Sequence, residues 1–225
     1  MSEKLLDETI KKQVSEFFGE MQHPVKLLFF GSHEQNCDYC EETRGLLEEI
    51  SQLSDLITLE TYDIENDKDT ASLYNIEYAP VTVVAGVVDG ETRNYNIRFA
   101  GIPAGHEFSS LINTIVMVSK QDSGLSPDIR KQLAALDHPV LLQVFVTPTC
   151  PYCPRAVILS HQMALESPFV VGEMVEAMEF PELSTRFGVS GVPHTVINSG
   201  DGEVVGAVPE ANLMAEIERA LAVAA

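Results

Sequence analysis

Apolar positions along the chain follow two patterns, one typical of helices and one typical of strands. Near the amino terminus, apolar residues recur every three or four positions, which predicts an amphipathic helix. Its apolar face comprises Leu6, Ile10, Val14, Phe17 and Phe18. The continuous apolar run VKLLFF comes next and has the length of a buried strand. The second half opens in the same way, with a helical pattern followed by the run VLLQVFV. The apolar positions of that second helix are Ile129, Leu133 and Leu136.

The same succession of elements follows in each half. A CxxC motif opens a helix that we expect to run to about Leu53 in the first half and about Leu165 in the second. Another apolar strand comes next, then a short helix ending near Ile76 or Val189, a two-stranded hairpin and a closing helix. Strands that alternate with helices predict an α/β fold with a partly parallel sheet, to which each hairpin adds an antiparallel pair.

Landmarks of the two halves recur at a constant spacing. The distance from Cys37 to Cys150 is 113 positions, and Pro80 and Pro193 are separated by the same number. The segments around those prolines, YNIEYAPVTVV and FGVSGVPHTVI, also match in context. A shared offset at several landmarks indicates two copies of one unit of about 110 residues.

Turn signals and a polar linker complete this organisation. The Asp-Gly pairs at 89–90 and 201–202 each predict the turn of a hairpin. The stretch SKQDSGLSP at 119–127 is polar and contains Gly and Pro, which is typical of a boundary. We therefore expect two domains, residues 1–120 with the motif CDYC and residues 121–225 with the motif CPYC.

The charge of the chain limits its partners. With 14 Lys and Arg against 34 Asp and Glu, the formal net charge is −20, which disfavours nucleic acid and anionic membranes. No apolar run approaches the ~20 residues needed to cross a bilayer. The charged amino terminus lacks the apolar core of a signal peptide, so we expect a cytoplasmic protein.

The four cysteines, Cys37, Cys40, Cys150 and Cys153, form two CxxC pairs. In a chain without an export signal, such pairs indicate redox chemistry or a metal site. A structural zinc ion is the competing interpretation, but zinc knuckles lie in short loops, whereas each pair here precedes a long helix. We therefore predict no metal. No dinucleotide fingerprint follows any strand, so we expect no bound cofactor and redox-active disulfides as the reactive groups.

The surroundings of the two motifs differ in charge. Residues three apart on a helix are near enough to form a disulfide after a small tightening, and a helix amino terminus lowers the pKa of a thiol placed there. Pro151 and Arg155 suit this arrangement in the second motif, whereas Asp38 and neighbouring glutamates oppose a thiolate in the first. Our hypothesis is that Cys150 is the more acidic thiol and that its pair is the more oxidising one.

Residues outside the cysteine pairs complete the candidate sites. The bonds Ala79-Pro80 and Val192-Pro193 precede strands, and a cis form there would place a backbone edge beside each motif for an extended substrate peptide. The aromatic residues of the motif turns, Tyr39 and Tyr152, are candidates for shaping the substrate surface. His33 could stabilise a thiolate or shuttle its proton, but an exposed loop histidine is the simpler interpretation.

With these features assembled twice, the chain resembles the protein disulfide oxidoreductases built from two tandem thioredoxin-like units, also called glutaredoxin-like. The resemblance implies a central mixed sheet flanked by helices in each unit and dithiol–disulfide exchange on protein substrates. It also implies that Cys37 and Cys150 are nucleophiles, that Cys40 and Cys153 are resolving thiols, and that both prolines are cis. It further implies recharging by an NADPH-dependent thioredoxin reductase. A dedicated electron carrier for a peroxidase-type partner is the alternative function.

Overall fold

The computed structural model describes residues 5–35 and 37–224, so the outermost ends of the two predicted domains lie outside the described residues. The elements of the first half are α1 (Glu8–Phe18), β1 (Val25–Gly31), α2 (Cys40–Ser51), β2 (Ile57–Asp63), α3 (Lys68–Leu73), β3 (Val81–Val88), β4 (Glu91–Arg93), β5 (Ile97–Ala100) and α4 (Glu107–Lys120). Those of the second half are α5 (Pro127–Ala134), β6 (Val140–Val146), α6 (Cys153–Glu166), β7 (Val170–Glu176), α7 (Pro181–Arg186), β8 (His194–Ile197), β9 (Gly202–Val205) and α8 (Glu210–Ala224).

The predicted α/β fold and the repeated order of elements are confirmed. Each half contains a parallel pair and an antiparallel pair around one central strand. In the first half β1 pairs in parallel with β2 and antiparallel with β3, and in the second half β6 pairs in the same way with β7 and β8. Helices cover both faces of the sheet because each central strand buries mostly apolar side chains on both sides, as in β6, where six of the seven positions are buried.

The short strand β5 was not predicted. It follows the first hairpin, pairs antiparallel with β3 and pairs in parallel with β7 of the second half. The two halves therefore share one continuous sheet in the order β2-β1-β3-β5-β7-β6-β8-β9, with β4 attached to β3. Only four residues long, β5 is stabilised by partners on both sides and carries no pattern long enough to reveal it.

One of the two predicted hairpin turns is displaced. Asp89 and Gly90 form the first turn, and both have the positive φ that a two-residue hairpin turn requires. In the second hairpin, Gly202 is instead the first residue of β9, paired with Ile197. The chain reverses over residues 198–201, where Asn198, like the next two residues, adopts a positive φ. Asparagine tolerates this conformation, so the turn forms earlier than the Asp-Gly pair suggests.

The start of each CxxC helix also differs from the prediction. We expected the first cysteine to begin the helix, but α2 and α6 begin at the second cysteines, Cys40 and Cys153. The first cysteine lies in a preceding turn, where Cys40 N–H donates to Cys37 O three residues back at 3.4 Å. This hydrogen bond spans three residues instead of the four of an α-helix. Cys37 therefore belongs to a turn that lies just before the amino terminus of α2.

Contacts between the halves extend beyond the shared sheet. Helix α4 packs on α6, and His161 of α6 is fully buried with hydrogen-bonding partners on α4 and β5. Its Nδ1 lies 3.0 Å from Thr114 Oγ1, and its Nε2 lies 3.2 Å from the carbonyl oxygen of Arg98. Burial lowers the pKa of His161 to about 3, so the ring is neutral and acts as a structural hydrogen-bonding group. None of the helices in the described ranges combines the length and apolarity needed to cross a membrane.

Candidate active site

Both cysteine pairs are closed as disulfides. The Cα atoms of Cys37 and Cys40 are 5.4 Å apart, and those of Cys150 and Cys153 are 5.5 Å apart. Each disulfide lies beyond the carboxyl end of a central strand and at the amino end of a helix. The helix places free N–H groups and the positive end of its dipole beside the sulfurs. Because all four sulfurs are held in disulfides, this arrangement favours redox chemistry over the zinc alternative.

The two pairs differ in exposure and hydrogen bonding. Cys37 and Cys40 are half-buried, whereas Cys150 is 7% exposed and Cys153 is fully buried. Cys153 N–H donates to Cys150 Sγ at 3.2 Å. A hydrogen bond of this kind stabilises a thiolate more than a thiol, which supports the hypothesis that Cys150 is the more acidic nucleophile.

The loop before the first motif is held by a network around His33. The imidazole Nδ1 lies 2.7 Å from Asp63 Oδ2, and this contact raises the pKa of His33. Ser32 Oγ donates to Glu65 at 2.6 Å. Although the ligating atoms of His33, Asp63 and Glu65 lie within 4.8 Å of one another, the imidazole already pairs with Asp63. The observed contacts fit the simpler interpretation of His33 as an exposed loop histidine.

The two motif prolines have the predicted isomer. The bonds Ala79-Pro80 and Val192-Pro193 are both cis, which confirms the expectation. The tyrosines of the motif turns are the residues immediately before α2 and α6, and Tyr39 is 45% and Tyr152 64% exposed. Such exposed aromatic rings beside a disulfide offer contact area to a substrate. Pairing of a substrate backbone with these segments remains a prediction.

A cleft of about 580 Å³ opens beside the first disulfide. Its first-half lining comprises Leu5, Cys37, Asp38, Tyr39, Glu42, Ala79, Pro80, Ile102 and Ala104. Its second-half lining comprises Pro148, Glu176, Met178, Glu179 and Pro181. The structure thus brings four of the predicted first-site residues together, and it adds a wall from the other half that sequence reasoning missed. No local pattern marks that wall, because it reaches the first site only through the pairing of β5 with β7.

A buried carboxyl lies next to the loop of the second motif. Glu107, at the start of α4, is 1% exposed, and its Oε2 accepts a hydrogen bond from Ser110 Oγ at 2.5 Å. Its Oε1 has no hydrogen-bond partner among the described residues. Burial raises the pKa of Glu107 to about 7. The preceding residue, His106, donates its N–H to the carbonyl oxygen of Pro148, two residues before Cys150.

A histidine next to the second cis-proline has a structural role. His194 follows the second cis-proline but is buried in β8. Its Nε2 lies 3.2 Å from Glu203 Oε2 across the β8–β9 pair. His194 is therefore an ordinary strand residue that contacts its neighbouring strand, and it forms no hydrogen bond with a cysteine among the described residues.

Comparisons with known proteins agree with this geometry. A thioredoxin domain family model matches residues 140–219. The solved structure of a protein disulfide oxidoreductase from Aeropyrum pernix K1 is 31% identical and covers 96% of this chain and 94% of its own, with a TM-score of 0.84. The NTD_N/C domain of alkyl hydroperoxide reductase AhpF from Enterococcus faecalis is 29% identical and covers 94% of this chain and 99% of its own, with a TM-score of 0.85.

A curated relative extends this second similarity. The alkyl hydroperoxide reductase protein AhpF of Pseudomonas aeruginosa is 26% identical over 202 residues, which are 90% of this chain and 35% of the relative. The chain thus spans about a third of the length of that protein. The match to the Aeropyrum pernix oxidoreductase, in contrast, extends over nearly the full length of both chains. With two CxxC disulfides on a thioredoxin-type α/β fold, the chain belongs to the protein disulfide oxidoreductase family.

Proposed function

We propose that the protein catalyses dithiol–disulfide exchange on protein substrates through both cysteine pairs. The observation that carries this proposal is the closed Cys37–Cys40 disulfide in an open cleft, with a second pair in the equivalent position of the other half. A half-exposed sulfur can be attacked by, or can attack, a sulfur of another protein.

In the reductive direction, the thiolate of Cys37 or Cys150 attacks one sulfur of a substrate disulfide. That bond breaks, a mixed disulfide forms, and the other substrate sulfur leaves as a thiolate that takes up a proton. Cys40 or Cys153, once deprotonated, attacks the enzyme sulfur of the mixed disulfide and releases the second substrate thiol. The substrate gains two electrons and two protons, and the enzyme is left with a closed disulfide.

Substrate contact is assigned to the residues around each sulfur. Tyr39, Ala79 and Pro80 serve the first site, and Tyr152, Val192 and Pro193 serve the second. The two units are residues 1–120 and 121–225. An NADPH-dependent thioredoxin reductase returns the oxidised enzyme to the dithiol form in the cytoplasm, and the chain itself carries its redox equivalents on cysteine alone.

The test is reduction of insulin disulfides by dithiothreitol, followed as turbidity. The intact protein is expected to accelerate the reaction, and the variants Cys37→Ser/Cys40→Ser and Cys150→Ser/Cys153→Ser should each retain the activity of one site. The fourfold serine variant is the matched control and should match the uncatalysed rate. An intact protein no faster than that control contradicts the proposal.

The similarity to AhpF favours a second candidate, a dedicated electron carrier for a peroxidase-type partner. A comparison of two substrates, insulin and an oxidised two-cysteine peroxidase, separates the two functions. A protein that reduces an oxidised two-cysteine peroxidase rapidly but leaves insulin at the uncatalysed rate is a dedicated carrier. Turnover of insulin at the rate of an ordinary thioredoxin supports the general oxidoreductase.

A further inference from the structure

The cleft beside Cys37 is lined by carboxylates and by no basic side chain among its described lining residues. Asp38 and Glu42 come from the first half, and Glu176 and Glu179 come from the second. None of the four forms an ion pair with a described residue, although most basic side chains elsewhere do. Four carboxyl groups are therefore concentrated beside the reactive sulfur, and none of them has a basic partner within the described chain.

Two of these carboxylates accept hydrogen bonds from backbone N–H groups. Glu176 is 3% exposed, and its Oε2 accepts hydrogen bonds from the N–H groups of Met178 and Glu179 at 3.0 and 2.7 Å. Its other oxygen, Oε1, is buried without a hydrogen-bond partner among the described residues. Glu179 Oε1 accepts the N–H of Ile102 at 2.7 Å, across the junction of the halves.

Both carboxylates are poorly solvated. Burial raises the pKa of Glu176, and burial together with the neighbouring charges of Glu176 and Asp38 raises the pKa of Glu179 to about 7. Because a buried unpaired carboxylate costs free energy, a ligand that brings a positive charge is stabilised in this cleft. The remaining lining is largely apolar and includes Met178, which is 77% exposed. This combination suits the aliphatic stem and charged tip of a lysine or arginine side chain.

The second motif offers no such environment along its own helix. No carboxylate occurs between Thr147 and Ala164, and the exposed Arg155 lies two positions after Cys153. The buried Glu107 adjoins the loop before the second motif, but its carboxyl is 1% exposed and is not part of the CDYC cleft lining. Along the motif segments themselves, the two sites therefore differ in local charge.

We infer that the CDYC cleft selects substrate disulfides whose cysteine is flanked by lysine or arginine, and that the CPYC site lacks this preference. The inference rests on the proposed function and assigns a substrate class to one of its two sites. The residues that set the preference are Glu179 and Glu176 of the second half together with Asp38 of the first.

The experiment uses disulfide-linked dimers of two short peptides, one with lysine and one with glutamate on both sides of the cysteine. Full-length Cys150→Ser/Cys153→Ser, reduced beforehand, reports the CDYC site alone, and Cys37→Ser/Cys40→Ser reports the CPYC site. Rates are divided by those of dithiothreitol with the same peptide, because flanking charges alter the leaving thiol itself. The CDYC protein is expected to favour the lysine peptide by about tenfold, as a charge-assisted contact of this kind supports.

The variant Glu179→Gln, made in the CDYC protein, removes charge and can still accept the N–H of Ile102, so it should lower the preference several-fold. Asp38→Asn, in an exposed turn, is a second variant with the same expected direction. Glu182→Gln is the matched control, since this exposed glutamate lies outside the lining, and it should retain the full preference.

Equal corrected rates for the two peptides, or a preference unchanged in both cleft variants, overturn the inference and leave the proposed function intact. Failure of both single-site proteins to react with either peptide would instead reject the proposed function.

Discussion

At the scale of single residues, the two disulfides share their spacing but not their surroundings. Cys150 receives an N–H from the helix that follows it and is almost fully buried. Cys37 is more open and is followed by Asp38, whose charge opposes a second negative charge nearby. The same four-residue motif is therefore expected to have different redox properties in the two halves.

The first prediction concerns thiol acidity. In proteins that retain one cysteine pair, the pKa of Cys150 is expected to be lower than that of Cys37, and the reduction potential of the CPYC pair to be higher. Each pKa unit corresponds to about 1.4 kcal/mol, or about 30 mV for a two-electron couple. Titration by ultraviolet absorbance and equilibration with glutathione measure the two quantities. Equal values, or a lower pKa for Cys37, would contradict the hypothesis.

A second prediction concerns Glu107. Its folded pKa of about 7 lies above the ordinary value of 4.5, so the folded protein holds a proton that the unfolded chain releases. Stability attributable to this site is therefore highest below pH 4.5 and is lost as the pH rises to 7. The variant Glu107→Gln does not titrate at this position, so its free energy of unfolding relative to the parent should increase by at most about 3 kcal/mol as the pH rises from about 5 to about 8. Urea unfolding at both values measures this gain, and Glu91→Gln, on the exposed hairpin, should show none.

Sequence reasoning succeeded at residues whose chemistry is local. The cysteine spacing and the repeated offset of 113 identified both cysteine pairs, and the resemblance to the two-unit disulfide oxidoreductases implied the cis bonds that the structure shows. The contribution of Glu176, Met178 and Glu179 to the first cleft was missed because no motif or spacing in the sequence links these residues to Cys37. Their proximity depends on how the two halves meet, and that information is distributed over the whole chain.

At the scale of elements, the close approach of α6 to β7 depends on a glycine. A Cβ atom added to Gly172 would lie 2.7 Å from the carbonyl oxygen of Ser160, which belongs to the backbone of α6 and cannot move aside. Gly172 also pairs with Ile97 of β5, so the contact lies where the halves join. Periodicity predicted the strand correctly but carries no information about this separation.

The third prediction follows from that contact. Gly172→Ala should lower the free energy of unfolding by about 1–3 kcal/mol, because helix and strand must separate to admit one methyl group. Gly191→Ala is the control, since a Cβ atom there meets nothing within 4 Å and its φ is not positive. Chemical denaturation of both variants gives the comparison, and equal stabilities would show that the helix is not held against the strand.

At the scale of the whole molecule, the halves are joined by polar groups as well as by the sheet. Glu173 of β7 is buried, and its Oε2 accepts hydrogen bonds from Tyr78 at 2.8 Å and from Gln143 at 2.9 Å. Arg98 of β5 lies 3.7 Å from its other oxygen. Separating the halves would break the contacts of Glu173 with Tyr78 and Arg98 of the first half, so these polar contacts add to the free energy that holds the halves together.

The fourth prediction is that the molecule unfolds as one cooperative unit. Hydrogen exchange of β1 and β6, followed by mass spectrometry in increasing urea, should give the same free energy of unfolding for both strands. This method suits the chain because it contains no tryptophan. Distinct values for β1 and β6 would show that the shared sheet does not couple the halves.

Because both halves line the cleft beside Cys37, the first half alone does not contain the complete site. Grafting residues 1–120 alone into another protein would transfer Cys37, Tyr39 and Pro80 but would leave behind Glu176 and Glu179. Such a chimaera would retain both cysteines of the first pair and lose one wall of the cleft beside them. The two similar halves are therefore not interchangeable, because side chains of the second half line the cleft beside the first disulfide.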